Sequence, residues 1–419
     1  MRPALIASLI ALIVSACTQG SDPNLDPASR SSAETLLLQT ASGPIAVRVP
    51  AGDVVLSRAG ALPSHDGAQV FTISRDGASI ILETVESVTG ATTSTVRIDG
   101  RLELGVVSAS GRATALVEPL PHGWDRGTPV PRASTTIVVA DPTGASEARR
   151  YELEGNYEPE AFAGNDRQLF LIQHLPAEAP SAYRVTVLDL RRGEVGPVFG
   201  PFKSAPERMS GIRLQQVPSP DAGQLYTLYS SAIPGYAPHD PSVADSAVVS
   251  FIHVLDLDEG WAHCVGLPKP MWDRPAAAQA MAVSPDGRSA YVVDVGREVV
   301  AVMSTSRLET RVEEVELASP GPVRRTSAVT TPDGDTLFVA AAGDGSIITA
   351  IDTGSFESRA TWRLDRSVSR LGMSLDGSRI YAVTPGAVIV LDPTSGRELG
   401  SVAIPATHDP VEDVFALAS

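Results

Sequence analysis

The run Met281-Ala-Val-Ser-Pro-Asp-Gly-Arg-Ser-Ala-Tyr-Val-Val-Asp294 decides the fold. A short apolar segment reaches Ser284-Pro-Asp-Gly287, and a second, richer in Val and Tyr, follows at once. Proline presets φ, aspartate bonds its own backbone two residues on, and glycine accepts a positive φ, so the tetrapeptide reverses the chain between two strands. A third apolar run, Val299 to Met303, comes after the polar break Gly296-Arg-Glu298. The unit is therefore a set of antiparallel strands joined by tight turns, and it recurs. Thr331-Pro-Asp-Gly334 and Ser374-Leu-Asp-Gly377 are each followed by another β-rich segment, so most of the chain reads as copies of one β-meander. Asp286, Asp333 and Asp376 recur because the turn recurs, which makes them turn formers rather than metal ligands.

The composition agrees with many short strands. The 419 residues include 35 Gly and 33 Pro, and no helical period of any length is present. A net charge of −16 gives a field that repels phosphate backbones and anionic surfaces, so nucleic acid is not expected as a partner. The two cysteines, Cys17 and Cys264, supply no internal disulfide framework.

Turn markers at Ser74-Arg-Asp-Gly77, Ser108-Ala-Ser-Gly111, Gly164-Asn-Asp166, Ser219-Pro-Asp-Ala222, Ser284, Thr331 and Ser374 space the units. The steps of 47 and 43 residues after Ser284 and Thr331 match the roughly 40–50 of a four-stranded propeller blade, and those of 55 to 65 before them fit a blade with longer loops, but the step from Ser74 to Ser108 is too short for one. At the N-terminus, Leu36-Leu-Leu38, Ile45-Ala-Val-Arg-Val49 and Val54-Val-Leu56 look like the outer strands of a unit whose inner strand is missing. At the C-terminus, Val411 to Ser419 looks like Ala278 to Ser284 stopped before its turn. The last strand would then join a sheet begun by the first strands and close a ring with no free edge between the termini. The expectation is an all-β chain, a β-propeller of seven or eight four-stranded blades, with the composite closing blade favouring eight.

The repeats at Ala276 to Leu317, Thr326 to Leu364 and Ser369 to Ile404 resemble the YVTN-type β-propeller repeat, related in pattern to WD-repeat and TolB-like propellers. No Trp-Asp dipeptide closes each blade and no Gly-His repeats, so a true WD-repeat protein is not expected. The resemblance implies fold more than activity, because propellers host binding proteins, scaffolds, lactonases and redox enzymes.

Residues 1–16 read as a signal segment, with Arg2 as the positive n-region and Ala4 to Val14 as an apolar run too short for a membrane span. The run ends in Val14-Ser-Ala-Cys17, which resembles the lipobox of bacterial lipoproteins, although Val14 stands where Leu is commonest. The resemblance implies lipidation of Cys17. Thr18 to Ala33 is rich in Ser, Asp, Pro and Arg with almost no large apolar residue, so residues 17–33 are expected as the lipidated Cys and a flexible tether, and the repeats make 34–419 a single propeller domain. Thr18 rather than Asp after the Cys implies the outer membrane, facing the periplasm, in a Gram-negative cell, and otherwise the outer face of the plasma membrane.

In a meander A-B-C-D, the B–C and D–A connections leave from one face and the A–B and C–D connections from the other. The B–C connections of the last three units are short, at 294–298, 342–345 and 384–386. The earlier ones are long: Glu118 to Ser134 with His122, Trp124 and Arg126; Gln173 to Tyr183 with His174; and Ser230 to Ala247 with Tyr236 and His239. The D–A connection Leu267 to Ala276, with Trp272 and Arg274, falls on the same face. These eight residues are the candidate binding residues of a long-loop rim suited to a small ligand or a protein partner. Such loops also serve to cover sheet ends with their own rings. His263 and Cys264 are strand neighbours that point to opposite faces, so a Cys–His dyad is disfavoured and a packed thiol is expected. No metal-ligand spacing, nucleophile elbow or phosphate loop occurs, and no cofactor is expected. The functional expectation is a lipid-anchored, extracytoplasmic binding or scaffold module of a bacterial envelope. The alternative is a propeller enzyme, lactonase-like or metal- or quinone-dependent, with its site in the central channel.

Overall fold

Eight four-stranded antiparallel sheets form an eight-bladed β-propeller. The structure is a computed structural model and describes residues 33–119, 121, 129–202, 208–230, 250–271, 276–405 and 411–418. Blades 1 to 7 are consecutive meanders. Their inner strands are Leu62–Pro63, Glu103–Val107, Asn156–Phe162, Ile212–Pro218, Gln279–Val283, Arg325–Thr330 and Arg370–Met373. Blade 8 is composite: Val411–Ala418 is its inner strand, and Glu34–Thr40, Gly43–Val49 and Val54–Ser57 lie outside it.

A blade's middle strands read as unbroken apolar runs because both faces of each sheet are covered by neighbours. Alternation sends successive side chains to opposite interfaces. Tyr291 and Val293 enter the cluster between blades 5 and 6, whereas Ala290 and Val292 enter the one between blades 4 and 5. Leu36 and Leu38 meet blade 7, and Leu37 meets blade 1. Eight such clusters are found, one per interface. Outer strands need one covered face only, and Arg149–Glu154 accordingly alternates buried Tyr151 and Leu153 with exposed Arg and Glu.

The A–B turns are built alike. Ser284 Oγ donates to Asp286 Oδ1 at 2.6 Å, the Arg288 N–H donates to the same oxygen at 3.0 Å, and Gly287 has φ 69°. Thr331 with Asp333 and Ser374 with Asp376 repeat the arrangement. Hydrogen bonds from Ser378 and Ser374 hold the Asp376 carboxyl down at about 2. Ser74–Gly77 is not an A–B turn, since it joins Gln69–Asp76 to Ser79–Glu86, the second and third strands of blade 1. The equivalent turn is Ser64-His-Asp-Gly67, where Ser64 Oγ donates to Asp66 Oδ1 at 2.6 Å. It was hidden because the inner strand before it has only two residues, and the short first step in the spacing disappears with it.

Closure combines strand pairing with a buried polar clasp. The final strand pairs with Glu34–Thr40 from Glu34↔Ala418 onward. Glu34, 3% exposed, accepts hydrogen bonds from the Tyr381 hydroxyl and from the Leu375 N–H of blade 7. Replacing it by Ala strands both donors in the closing interface. Glu34→Ala is expected to lower unfolding stability by about 2 kcal/mol, read from urea denaturation, with Glu34→Gln losing less. An Ala variant within about 0.5 kcal/mol of wild type would remove the clasp from this account.

Candidate functional site: the charged mouth of the central channel

All inner strands run in one direction, so their first residues surround the channel at the face that carries the B–C and D–A connections. The channel wall includes Val217, Ala282, Val283, Ala328, Leu371 and Val414, with Arg370 and Asp413 on the same lining. Charge is concentrated nearer the mouth, on Glu158 and Glu160 of blade 3, Arg213 of blade 4, Arg325 of blade 6, Arg370 of blade 7, and Glu412 and Asp413 of blade 8.

Side chains tie the inner strands together at fixed heights. The Gln215 amide accepts from Met281 N–H at 2.9 Å and donates to Met281 O at 2.8 Å. Thr326 and Thr330 hydroxyls donate to Ala277 O and Val283 O, and the Leu371 N–H donates to Ser327 Oγ at 2.9 Å. Bulges then break the symmetry. Register shifts fall at Gly105, Glu160, Leu214 and Glu412 in blades 2, 3, 4 and 8, whereas the inner strands of blades 5, 6 and 7 pair without one. A bulge re-aims the side chain it carries, and two of these four residues are carboxylates.

The densest cluster spans blades 3 and 4. Glu158 lies opposite Ile172, which makes His174 its diagonal neighbour across the strand pair. His174 Nε2 is 3.3 Å from Glu158 Oε2. A carboxylate only accepts, so Nε2 carries the proton. The ring is 8% exposed, and its Nδ1 has no hydrogen-bond partner among the described residues. Arg213 Nη1 is 3.4 Å from Glu160 Oε2, and its Nη2 is 4.0 Å from Glu158 Oε1. Gln216 Nε2 donates to Glu160 Oε1 at 2.7 Å. Behind them the rings of His174, Tyr183, Tyr229 and Phe251 form a row with centroid spacings of 6.4, 5.4 and 5.3 Å.

The two carboxyls are displaced in opposite directions. Burial pushes Glu160 above the ordinary value, and Arg213 recovers only part of the shift. Burial also acts to raise Glu158, but the His174 hydrogen bond and the Arg213 and Arg132 charges outweigh it and hold Glu158 below the ordinary value. The Glu158 side chain is about half exposed, whereas that of Glu160 is almost wholly buried. Carboxyls separated in this way suit one proton holder and one permanent acceptor.

Of the eight rim residues singled out in the sequence, His174 lies in this cluster. It stands in the strand Gln168–Leu175 rather than in the loop. His122, Trp124, Arg126, Tyr236, His239, Trp272 and Arg274 lie outside the described residues, as does Cys17. Cys264 packs, half-buried, against the cluster between blades 3 and 4, while the His263 ring meets Phe202 edge-on at 6.1 Å. Among the described residues no group of three or more His, Cys, Asp or Glu is arranged to hold a metal. Glu158, Glu160 and Arg213 were missed because inner strands were read as scaffold. The available signal was Tyr157-Glu-Pro-Glu160 and Arg213-Leu-Gln-Gln216, charge-bearing where blade 5 has Ala280-Met-Ala-Val283.

No family model and no curated protein matches the chain. Among solved structures it is similar to apo AztD from Citrobacter koseri, at 14% identity over 92% of this chain and 98% of that one, with a TM-score of 0.55. It is also similar to the dihydro-heme d1 dehydrogenase NirN in complex with DHE, at 14% identity over 90% of this chain and 74% of that one, with a TM-score of 0.53. At such identities the likeness shows the propeller fold alone.

Arg213 is the cation that both carboxyls share, and it acts to lower each of them. In Arg213→Ala, Glu160 rises further above its unfolded value. The resulting penalty is absent below the unfolded carboxyl range, near 4.5, and grows as pH rises through the folded value. Water in the channel screens part of it, so the expected loss is about 1–3 kcal/mol at pH 7 and much less at pH 4, measured by urea unfolding at both. An equal loss at the two pH values would contradict the assignment.

Proposed function

We propose that this chain is a lipid-anchored, extracytoplasmic binding module of a bacterial cell envelope, which meets a protein or small-molecule partner at the mouth of its channel on the long-loop face. The observation that carries this reading is the coincidence of two independent features on one face. The irregular connections, 118–133 among them, and the charged starts of the inner strands both lie there. A ring whose other connections are short turns has elaborated one end only, and that end holds hydrogen-bonding groups held at fixed heights.

Glu34 begins the ring beside Ala418, at the end away from the charged mouth. A lipid on Cys17 would then join the ring through the end away from the mouth. The Cys17 assignment is checked by fractionation: Cys17→Ser is expected to block the mass shift of lipid addition and to move the protein from membrane to soluble fractions, and unchanged partition would sink it. The docking face is checked by affinity capture from detergent-solubilised membranes, comparing wild type with a variant in which 119–133 is replaced by a short Gly-Ser linker. Loss of the partner recovered with wild type is expected, and identical recovery would count against this face.

The oppositely displaced carboxyls favour a second reading, a hydrolytic or redox enzyme working in the channel with Glu160 as proton donor and Glu158 as acceptor. Turnover of a lactone or another acyl substrate that is lost in both Glu158→Gln and Glu160→Gln would replace the binding reading with this one.

A further inference from the structure

We infer that Arg325 and Arg370 form a binding site for the anionic group, carboxylate or phosphate, of a small ligand that enters the channel from the long-loop face. The inference rests on the binding reading above and adds to it the chemical class of the ligand.

The two arginines are the first residues of neighbouring inner strands. The hydrogen bond from Leu371 N–H to Ser327 Oγ fixes the relative height of those strands. Alternation puts Arg325 on the same side as Ser327, facing blade 7. Arg370 shares the side of Gly372, which presses against Val414 of blade 8. Both side chains therefore start at the mouth and lean the same way round the ring, Arg325 toward blade 7 and Arg370 toward blade 8. Arginine brings donors only, is charged at every working pH, and offers a planar fork that matches the oxygens of a carboxylate or phosphate.

Little inside the protein occupies these donors. The Arg325 side chain has no hydrogen bond or ion pair among the described residues. The Arg370 side chain is 14% exposed; among the described residues its ion pair is to Asp413 at 3.6 Å, and its Nε is buried without a partner. Burial and the neighbouring Arg370 charge both press the Arg325 pKa down, and Glu412 offsets only part of this. Glu412 is shared, since it also acts on Arg213 across the channel. Two like charges at the starts of adjoining strands, each acting on the other, are relieved by an anion that reaches both. Its oxygens would displace the long Asp413 contact or add to it.

The test titrates inorganic phosphate and, separately, succinate into the full-length protein in detergent at low ionic strength. Calorimetry and thermal unfolding are read against sodium chloride at matched ionic strength. Saturable binding of at least one anion is expected, weakened tenfold or more in Arg325→Ala and in Arg370→Ala, and weakened less in Arg325→Lys, which keeps the charge and loses the fork. Phosphate alone would assign a phosphoryl ligand, succinate alone a carboxylate. Circular dichroism checks the fold of each variant, and Arg325→Gln and Arg370→Gln replace any Ala variant that fails to fold. Absence of saturable binding in wild type, or equal binding in wild type and all variants, overturns the inference. Those results leave the docking face standing if the variant trimmed at 119–133 still loses its partner, so the two failures are separable.

Discussion

Each sheet of this ring must be covered on both faces, and that requirement governs the rest of the structure. An isolated blade would expose two apolar surfaces at once, so no blade is stable without a neighbour on each side. The eight interface clusters satisfy the requirement around the ring, but only if the last blade meets the first. Pairing of Val411–Ala418 with Glu34–Thr40 accomplishes this across the whole sequence, and the Glu34 clasp binds the composite sheet to blade 7.

The same geometry explains why the middle of the ring is a chemical site. Strand edges and small side chains converge on the axis, where ties such as Gln215 with Met281 and Ser327 with Leu371 fix their heights. Groups placed near the starts of these strands are held by the scaffold rather than by loops, and the bulges at Glu160 and Glu412 set two of them out of register. The mouth is thus polarised. A carboxyl, imidazole and arginine cluster occupies blades 3 and 4, and Arg325 and Arg370 begin the inner strands of blades 6 and 7.

The architecture was legible in the sequence because it is written in repeated local signals. Pro-Asp-Gly turns and apolar middle strands state the blade three times over in residues 276–404, and the mismatched ends state the closure. Blade 1 was misplaced for a local reason: Leu62–Pro63 is too short to announce an inner strand, so a tight hairpin at Ser74 imitated the turn. The site was only partly legible. His174 was reached through its neighbouring long connection, whereas Glu158, Glu160 and Arg213 were not, because their meeting depends on two blades 53 to 55 residues apart and on a bulge that no turn residue marks. Strand periodicity reports which residues alternate, not which of them face an axis.

The composite blade also sets how the chain must protect itself from its own copies. Until Val411–Ala418 is in place, Leu36-Leu-Leu38 lies in a strand with a bare inner edge, and an apolar β edge is a template for any strand of matching pattern. A second molecule carries that pattern in its own terminal segment. The last eight strand residues therefore act as a stopper for a polymerisation-prone edge, and their loss would turn a self-contained ring into a donor and acceptor for strand exchange between chains.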